Sequence, residues 1–366
     1  MNIDSRISAN RPAWLLPTPA RRDEPPPDTN LQTLLLRLMR GENLERFEAG
    51  RLLGALLDGK ATDAQIAAAL VALAVKGETV AELAGMATAM RQRATRIESR
   101  HKVFIDTAGS GSSAVKTFNV STAAAFVIAG AGLPVAKHGS RAATSRSGSA
   151  DVLTKLGVKV DAPAYVSEES LNEIGICFMF APLYHGATAR VAGVRRELGV
   201  HTTFNLLGPL TNPAGAPRQI IGVWHPALVE PLARALAALG TERGWVVHGS
   251  DGLDEVTLAG RTTVAEALNG EVRQFDIAPE DFGLRPAKLE NVRDNDADSG
   301  AAVIRSIFSG RRRDQARDLV VINAAAALVI GDAAPDLEEA RRLAEESIDS
   351  GAAQSKLDGL IRATNK

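Results

Sequence analysis

The sequence predicts an α/β protein built from a small all-helical N-terminal domain and a larger α/β domain with a mainly parallel central sheet. Three observations predict it. Residues 31–97 carry helical apolar spacing and no strand signal. After residue 100, short β-rich runs alternate with helix-like ones, the pattern of strands joined by helical crossovers. The chain is long enough, at 366 residues with 45% hydrophobic and 23% charged, to bury a core in each part.

Residues 1–29 hold six prolines and no period, and read as a disordered Pro-rich extension. Leu31, Leu34, Leu35 and Leu38 then fall on one helical face. "NLERFEAGRLLGALLDG" follows and is expected to stop at Gly59. "TDAQIAAALVALAVKG" opens on Thr62 and Gln65, which have capping-box spacing, and stops at Gly77. "TVAELAGMATAMRQRATRI" opens on a second such pair, Thr79 and Glu82. These four short helices have more apolar surface than about 65 residues need, which suggests a partner subunit. The β-runs are "KVFID", "LPVAK", "VKV", "ICFMFA", "QIIGV" and "WVVHG". Between them lie helices such as "STAAAFVIAGAG" and "ALVEPLARALAALG". The stretch 164–200 is polar and helix-like, and "DLEEARRLAEESIDSGAAQSKLDGLIRA" reads as two amphipathic helices. The expected domains are 30–100, joined by helices from about 165–200, and 101–164 with 201–366.

Composition excludes several classes. A net charge of −1 argues against bulk-charge nucleic-acid binding. A single cysteine, Cys177, excludes an internal disulfide, and its apolar setting marks a buried thiol. There is no 18-residue apolar run and no signal-peptide order, so a cytoplasmic location is expected.

Four stretches could carry chemistry. In "DTAGSGSSAVKTFNVST", residues 106–122, Gly109 and Gly111 permit close backbone approach, and a helix starting near Ser121 aims its N–H groups at an anion. "KHGSRAATSRSGSADVL", residues 137–153, sets Lys137, Arg141 and Arg146 among hydroxyls and glycines, which suits an oxygen-rich anion. Both loops follow β-runs, so they are expected at the carboxyl ends of parallel strands. "VVHGSDGLDEVTLAG" places the adjacent carboxylates Asp254 and Glu255 in a Gly-rich loop; beside a phosphate site they suit Mg²⁺. "NLLGPLTNPAG", residues 205–215, is a rigid loop with little chemistry of its own. Arg195, in "VRRELG", is a natural partner for a substrate carboxylate.

In this order, these stretches resemble the anthranilate phosphoribosyltransferase family, over residues 31–360. "FNVST", "KHGSR…SGSAD", "FNLLGPLTNP" and "HGSDGLDE" carry the resemblance. It implies a nucleoside phosphorylase/phosphoribosyltransferase-like fold and a homodimer through the helical domain. The implied activity is transfer of phosphoribose from phosphoribosyl pyrophosphate (PRPP) to anthranilate, with Mg²⁺, in tryptophan biosynthesis. The implied PRPP contacts are Gly109, Ser112, Ser113, Thr117, Asn119, Val120, Ser121, Thr122, Lys137, His138, Gly139, Ser140, Arg141, Ala142, Ala143, Thr144, Ser145 and Ser149. Metal falls to Ser121, Asp254 and Glu255. The acceptor falls to Gly109, Ser140 and Arg195, and His138 is a candidate for orienting it, with a structural histidine as the alternative.

The sequence departs from the family pattern in three places. Gly-Thr-Gly-Gly-Asp is replaced by Gly109, Ser110, Gly111, Ser112 and Ser113. His-Gly-Asn is replaced by His138, Gly139 and Ser140. The stretch His185 to Arg190 lacks the usual His-Pro. These changes keep open a paralogue acting on another small aromatic amine or acid. A nucleoside phosphorylase and a non-catalytic nucleic-acid-binding relative are the remaining alternatives.

Overall fold

The computed structural model describes residues 30–111, 115, 117–141, 147–289, 292 and 296–366. The Pro-rich extension lies outside them. The chain divides into two units. One is the described chain up to Ala89 together with Ala187–Thr203; the other is Met90–Gly186 with Phe204–Lys366.

In the helical unit, α1 (Leu31–Met39), α2 (Arg46–Leu57), α3 (Asp63–Lys76) and α4 (Val80–Gln92, its last three residues counted with the second unit) follow the expected order. Their starts are fixed by side-chain caps. Asn30 Oδ1 accepts from Thr33 N–H at 2.9 Å, and Thr62 and Gln65 close a reciprocal box. Thr79 and Glu82 form the second box. The fully buried Glu82 also accepts from Leu44 N–H and from Lys76 Nζ, tying α3, α4 and the α1–α2 turn together. The helix Ala189–Leu198 packs on α2 and α3, with Arg190 bonded to Asp63 and to the Ala61 carbonyl. Leu36, Met39, Phe47, Val71 and Val75 remain exposed, Val75 at 84%.

The second unit is built on a sheet of seven strands among the described residues. They are β1 (Ile105–Asp106), β2 (Val135–Gly139), β3 (Ile176–Phe180), β4 (Arg218–Gly222), β5 (Arg243–Gly249), β6 (Thr262–Leu268) and β7 (Glu271–Ile277), in the order β3-β2-β1-β4-β5-β6-β7. β1 to β5 pair in parallel, whereas β6 and β7 are antiparallel. The chain steps outward from β1 to β3, then returns to lay β4 on the other side of β1. That reversal makes the carboxyl ends of β1 and β4 the switch point where open α/β sheets bind ligands. Helix Val120–Gly130 (α5) and helix Gln315–Ile330 fill the core; the second is buried nearly all round.

Three expectations are corrected. "VKV" is not a strand, although Val158 and Val160 are buried. β6 and β7 were not expected; they are joined by Asn269 and Gly270, both at positive φ, as a tight hairpin requires. Residues 164–186 stay with the sheet unit, because helix Ala164–Ile174 packs on β3 through buried Leu171 and the Ser167 Oγ–Phe178 carbonyl bond. Only 187–203 joins the helical unit.

Candidate active site

The carboxyl ends of β1 and β4 open into a cleft. It is lined by Thr107, Gly109, Ser121, Ala124, Ile220, Gly222, Glu255 and Asn323. Two glycines let three backbones stack there. A Cβ on Gly109 would touch the Gly222 carbonyl at 3.4 Å, and Ser110 N–H donates to that carbonyl at 2.8 Å. A Cβ on Gly222 would overlap the Asp254 carbonyl oxygen. The first loop, the end of β4 and the acidic loop therefore lie against one another.

α5 starts at this cleft. Its N-cap, Asn119, adopts the left-handed conformation with φ 38° and ψ 52°. Its side chain exchanges bonds with Ser147, joining the first loop to the far end of the second. Lys137, 4% exposed, points from β2 toward the same place. Its Nζ donates to Thr107 O at 3.2 Å, Thr107 Oγ1 at 3.1 Å and Ser121 Oγ at 3.5 Å. Burial pulls its pKa down, and the Asp106 and Glu255 carboxylates oppose that.

Across the cleft, Glu255 is half-buried and lines the same pocket as Ser121. Burial and the neighbouring Asp254 push its carboxyl up to about 8, against the pull of Lys137 and Ser121. Asn323, buried in helix Gln315–Ile330, holds this loop. Its Nδ2 donates to Val256 O and its Oδ1 accepts from Val256 N–H, each at 2.9 Å. Neither Gly222 nor Asn323 was singled out from sequence. The signal for Asn323 was a lone amide in an apolar helix.

The second loop leaves β2 at Gly139, where a Cβ would overlap Ser149 Oγ. Ser140 is exposed, and its carbonyl accepts from Ala150 N–H and Ser149 Oγ. Arg141 is held by Asp151 at 3.0 Å and lies over the Phe180 ring. His138 is buried beside His185, ring centroids 5.1 Å apart. Burial, then the second imidazole, pushes His138 down to about 3; burial pushes His185 down to about 4.

Comparison with known proteins fits this geometry. The family described as "Glycosyl transferase family, a/b domain" matches residues 101–354, and its helical bundle domain matches residues 32–94. Anthranilate phosphoribosyltransferase of Moorella thermoacetica is 49% identical over 331 residues, covering 90% of this chain and 97% of that protein. That of Caulobacter vibrioides is 50% identical over 332 residues, covering 91% and 96%. The chain belongs to the anthranilate phosphoribosyltransferase family. Among solved structures, the Thermus thermophilus anthranilate phosphoribosyltransferase superposes with a TM-score of 0.86 at 40% identity, covering 91% of this chain and 99% of that one. The Saccharomyces cerevisiae anthranilate phosphoribosyltransferase in complex with PRPP and Mg gives 0.84 at 27% identity, covering 93% and 99%.

The anthranilate phosphoribosyltransferase resemblance carried site residues onto this chain, and the structure places them unevenly. Gly109, Ser121 and Glu255 line the cleft, and Lys137 reaches Ser121. Asp254 adjoins it through the Gly222 contact. Val120 and Thr122 are buried, so only their backbones are available to a ligand; Thr117 and Asn119 are half-buried. His138, Gly139, Ser140, Arg141 and Ser149 form the two pinned ends of the second loop. Ser112, Ser113, Ala142, Ala143, Thr144 and Ser145 lie outside the described residues. Of the acceptor set, Gly109 and Ser140 belong to the sheet unit. Arg195 belongs to the helical unit, where it is half-buried with its pKa lowered by burial; its neighbour Arg196 is exposed.

Proposed function

We propose that this protein transfers the phosphoribosyl group of PRPP to the amine of anthranilate, giving N-(5-phosphoribosyl)anthranilate and pyrophosphate, a step of tryptophan biosynthesis. The observation that carries the reading is the convergence at the β1–β4 switch point. There a helix N-terminus, a buried lysine and a Ser121–Glu255 pair meet in a chain of this family.

The first loop and the N-terminus of α5 offer backbone N–H groups to the pyrophosphate, with Lys137 supplying positive potential. The residues also fit a hard divalent cation. Asp254 and Glu255 are oxygen donors whose repulsion calls for one, and Ser121 adds a hydroxyl. Among the described residues no three His, Cys, Asp or Glu side chains form a closed cage, as expected where phosphate oxygens and water complete the coordination. Ser121, Asp254 and Glu255 would hold Mg²⁺, whose chemistry there is to spread the charge of departing pyrophosphate.

The acceptor's aromatic amine is neutral near pH 7 and needs placement more than a strong base. Arg195 meets its carboxylate, and Gly109 and Ser140 shape its approach. His138, neutral at that pH, orients it. Catalysis is then mainly orientation and electrostatics. The exposed Leu36, Met39, Phe47, Val71 and Val75 support a homodimer through the helical unit, which light scattering in solution tests.

The deciding experiment follows loss of anthranilate fluorescence with purified protein, PRPP and Mg²⁺, with pyrophosphate release measured in parallel. Turnover that depends on all three components is expected. No anthranilate consumption would sink the reading. The short, exposed Ser140 favours one second reading, another small aromatic acceptor. It prevails where Ser140→Asn gains anthranilate turnover over a parent that prefers another acceptor.

A further inference from the structure

β1 is two residues long, because the chain turns away after Asp106 into the Gly-rich loop. β2 runs on to Gly139, so its edge facing β1 outlasts its partner. Two side chains take over the ladder. Asp106 Oδ1 accepts from the His138 backbone N–H at 3.1 Å. Asn212 Nδ2 donates to the Ala136 carbonyl at 2.8 Å and to Asp106 Oδ2 at 2.7 Å. Asp106 is fully buried and Asn212 is 4% exposed.

The same turn holds the His138 ring. Nδ1 lies 3.2 Å from the Gly208 carbonyl, which can only accept, so Nδ1 carries the proton. Gly208 O also accepts from Thr211 Oγ1 and Thr211 N–H, next to Asn212. The bonds close a circuit from Asp106 to the His138 backbone, from its ring to Gly208, through Thr211 to Asn212, and back to Asp106. Its one open member is His138 Nε2, which is buried and has no hydrogen-bond partner among the described residues.

We propose that Asp106 and Asn212 are positioning residues that act through His138, fixing β2 and the 208–212 turn so that Nε2 accepts a hydrogen bond from the acceptor's amine. This rests on the reading above that His138 orients the acceptor. It also gives the 208–212 turn a task, to set the tautomer and direction of one imidazole.

The test is a double-mutant cycle on the full chain with PRPP, Mg²⁺ and anthranilate. Asn212→Ala, which changes no charge, is expected to lower kcat by about 10- to 100-fold, the cost of misplacing a substrate-orienting group. PRPP binding measured by calorimetry without anthranilate should change by less than about threefold, and in a His138→Ala background Asn212→Ala should add less than about threefold more. Asp106→Asn, which puts an amide donor among donors, should show the same loss of additivity and carries the test alone where Asn212→Ala does not fold. Effects that multiply independently of His138, or PRPP affinity falling in step with kcat, would overturn the proposal. Impaired His138→Ala beside unimpaired Asn212→Ala and Asp106→Asn refutes the positioning role alone. Unimpaired His138→Ala refutes the role of His138 as well.

Discussion

Replacing Gly222 by alanine tests whether backbone stacking at the end of β4 places the acidic loop. The added Cβ would overlap the Asp254 carbonyl oxygen, whereas ordinary contact begins near 3.4 Å. β4 cannot yield easily: it is paired with β1 and β5, and its Gly222 carbonyl is bonded to Ser110 N–H. The loop cannot move as a body either, because Asn323 grips Val256 by two bonds. The shift therefore falls on Asp254 and Glu255. A displacement of about 1 Å in a group that positions reactants costs about 100-fold in rate. Overpacking of this kind costs about 1–3 kcal/mol of stability. In the anthranilate fluorescence assay, kcat/KM for PRPP should fall about 100-fold, with half-saturating Mg²⁺ rising. Scanning fluorimetry should show a modest drop in Tm and a single transition. A Gly222→Ala enzyme within about threefold of the parent in rate and Mg²⁺ dependence would refute the stacking argument.

Asn323→Ala leaves Val256 N–H and C=O unsatisfied in the core; it should lose about 1–3 kcal/mol in urea unfolding and raise the Mg²⁺ requirement. Arg195→Ala should raise the anthranilate KM by about 10- to 100-fold, the worth of a charge-assisted bond to a carboxylate, with PRPP affinity by calorimetry unchanged. Buried titrating groups oppose one another on acidification. His138 and His185 are held well below the ordinary histidine pKa, so at these two sites the unfolded chain binds more protons between about pH 6.5 and 4. Their contribution is full above that window and drops by about 1.4 kcal/mol per pH unit for each histidine as pH falls through it. Asp106, pushed up to about 6, and Glu255, pushed up to about 8, take their protons earlier in the folded state and return a similar amount each, so the four groups nearly cancel below about pH 6. His138→Gln removes one histidine's loss: relative to the parent, its unfolding midpoint should rise as pH falls from about 7 to 4, and midpoints that track the parent's would refute this.

The parts of the fold and site legible in the sequence are those with local causes. Thr62 with Gln65 and Thr79 with Glu82 mark helix starts within four residues, and the structure builds both boxes. The Gly/Ser loops and the Asp254–Glu255 pair are likewise contiguous. The rest depends on pairing between distant segments. Asp106 matters because β1 stops short of β2, and Asn212 joins it from 106 residues away. The β6–β7 hairpin carried its Asn269-Gly270 signal, but the alternation beside it is blurred. Glu266 sits fully buried in mid-strand, taken up by Arg243, Arg273 and Trp245, where an apolar residue is expected. "VKV" has the composition of a strand, but no strand among the described residues pairs with it.

The bonds of Lys137 bear on how the cleft can hold an anion. Its ammonium has three protons, and Thr107 O, Thr107 Oγ1 and Ser121 Oγ engage them. A lysine so committed is a brace as much as a reaching hand. It ties the start of the first loop to the start of α5, while its charge raises the potential of the cleft. The direct donors to a phosphate must then come mainly from backbone N–H groups and hydroxyls. That is the composition of the loop running from Gly109 to Thr122, which is rich in serine and poor in cations. Glu255 adds to this logic. It lines the cleft with Ser121, at the N-terminal end of α5, and burial with the neighbouring Asp254 holds its carboxyl toward the neutral form. A neutral carboxyl repels an anion less than a carboxylate, and a cation there would favour the charged form, so an acidic loop and an anion-binding helix end can work at one point in the fold.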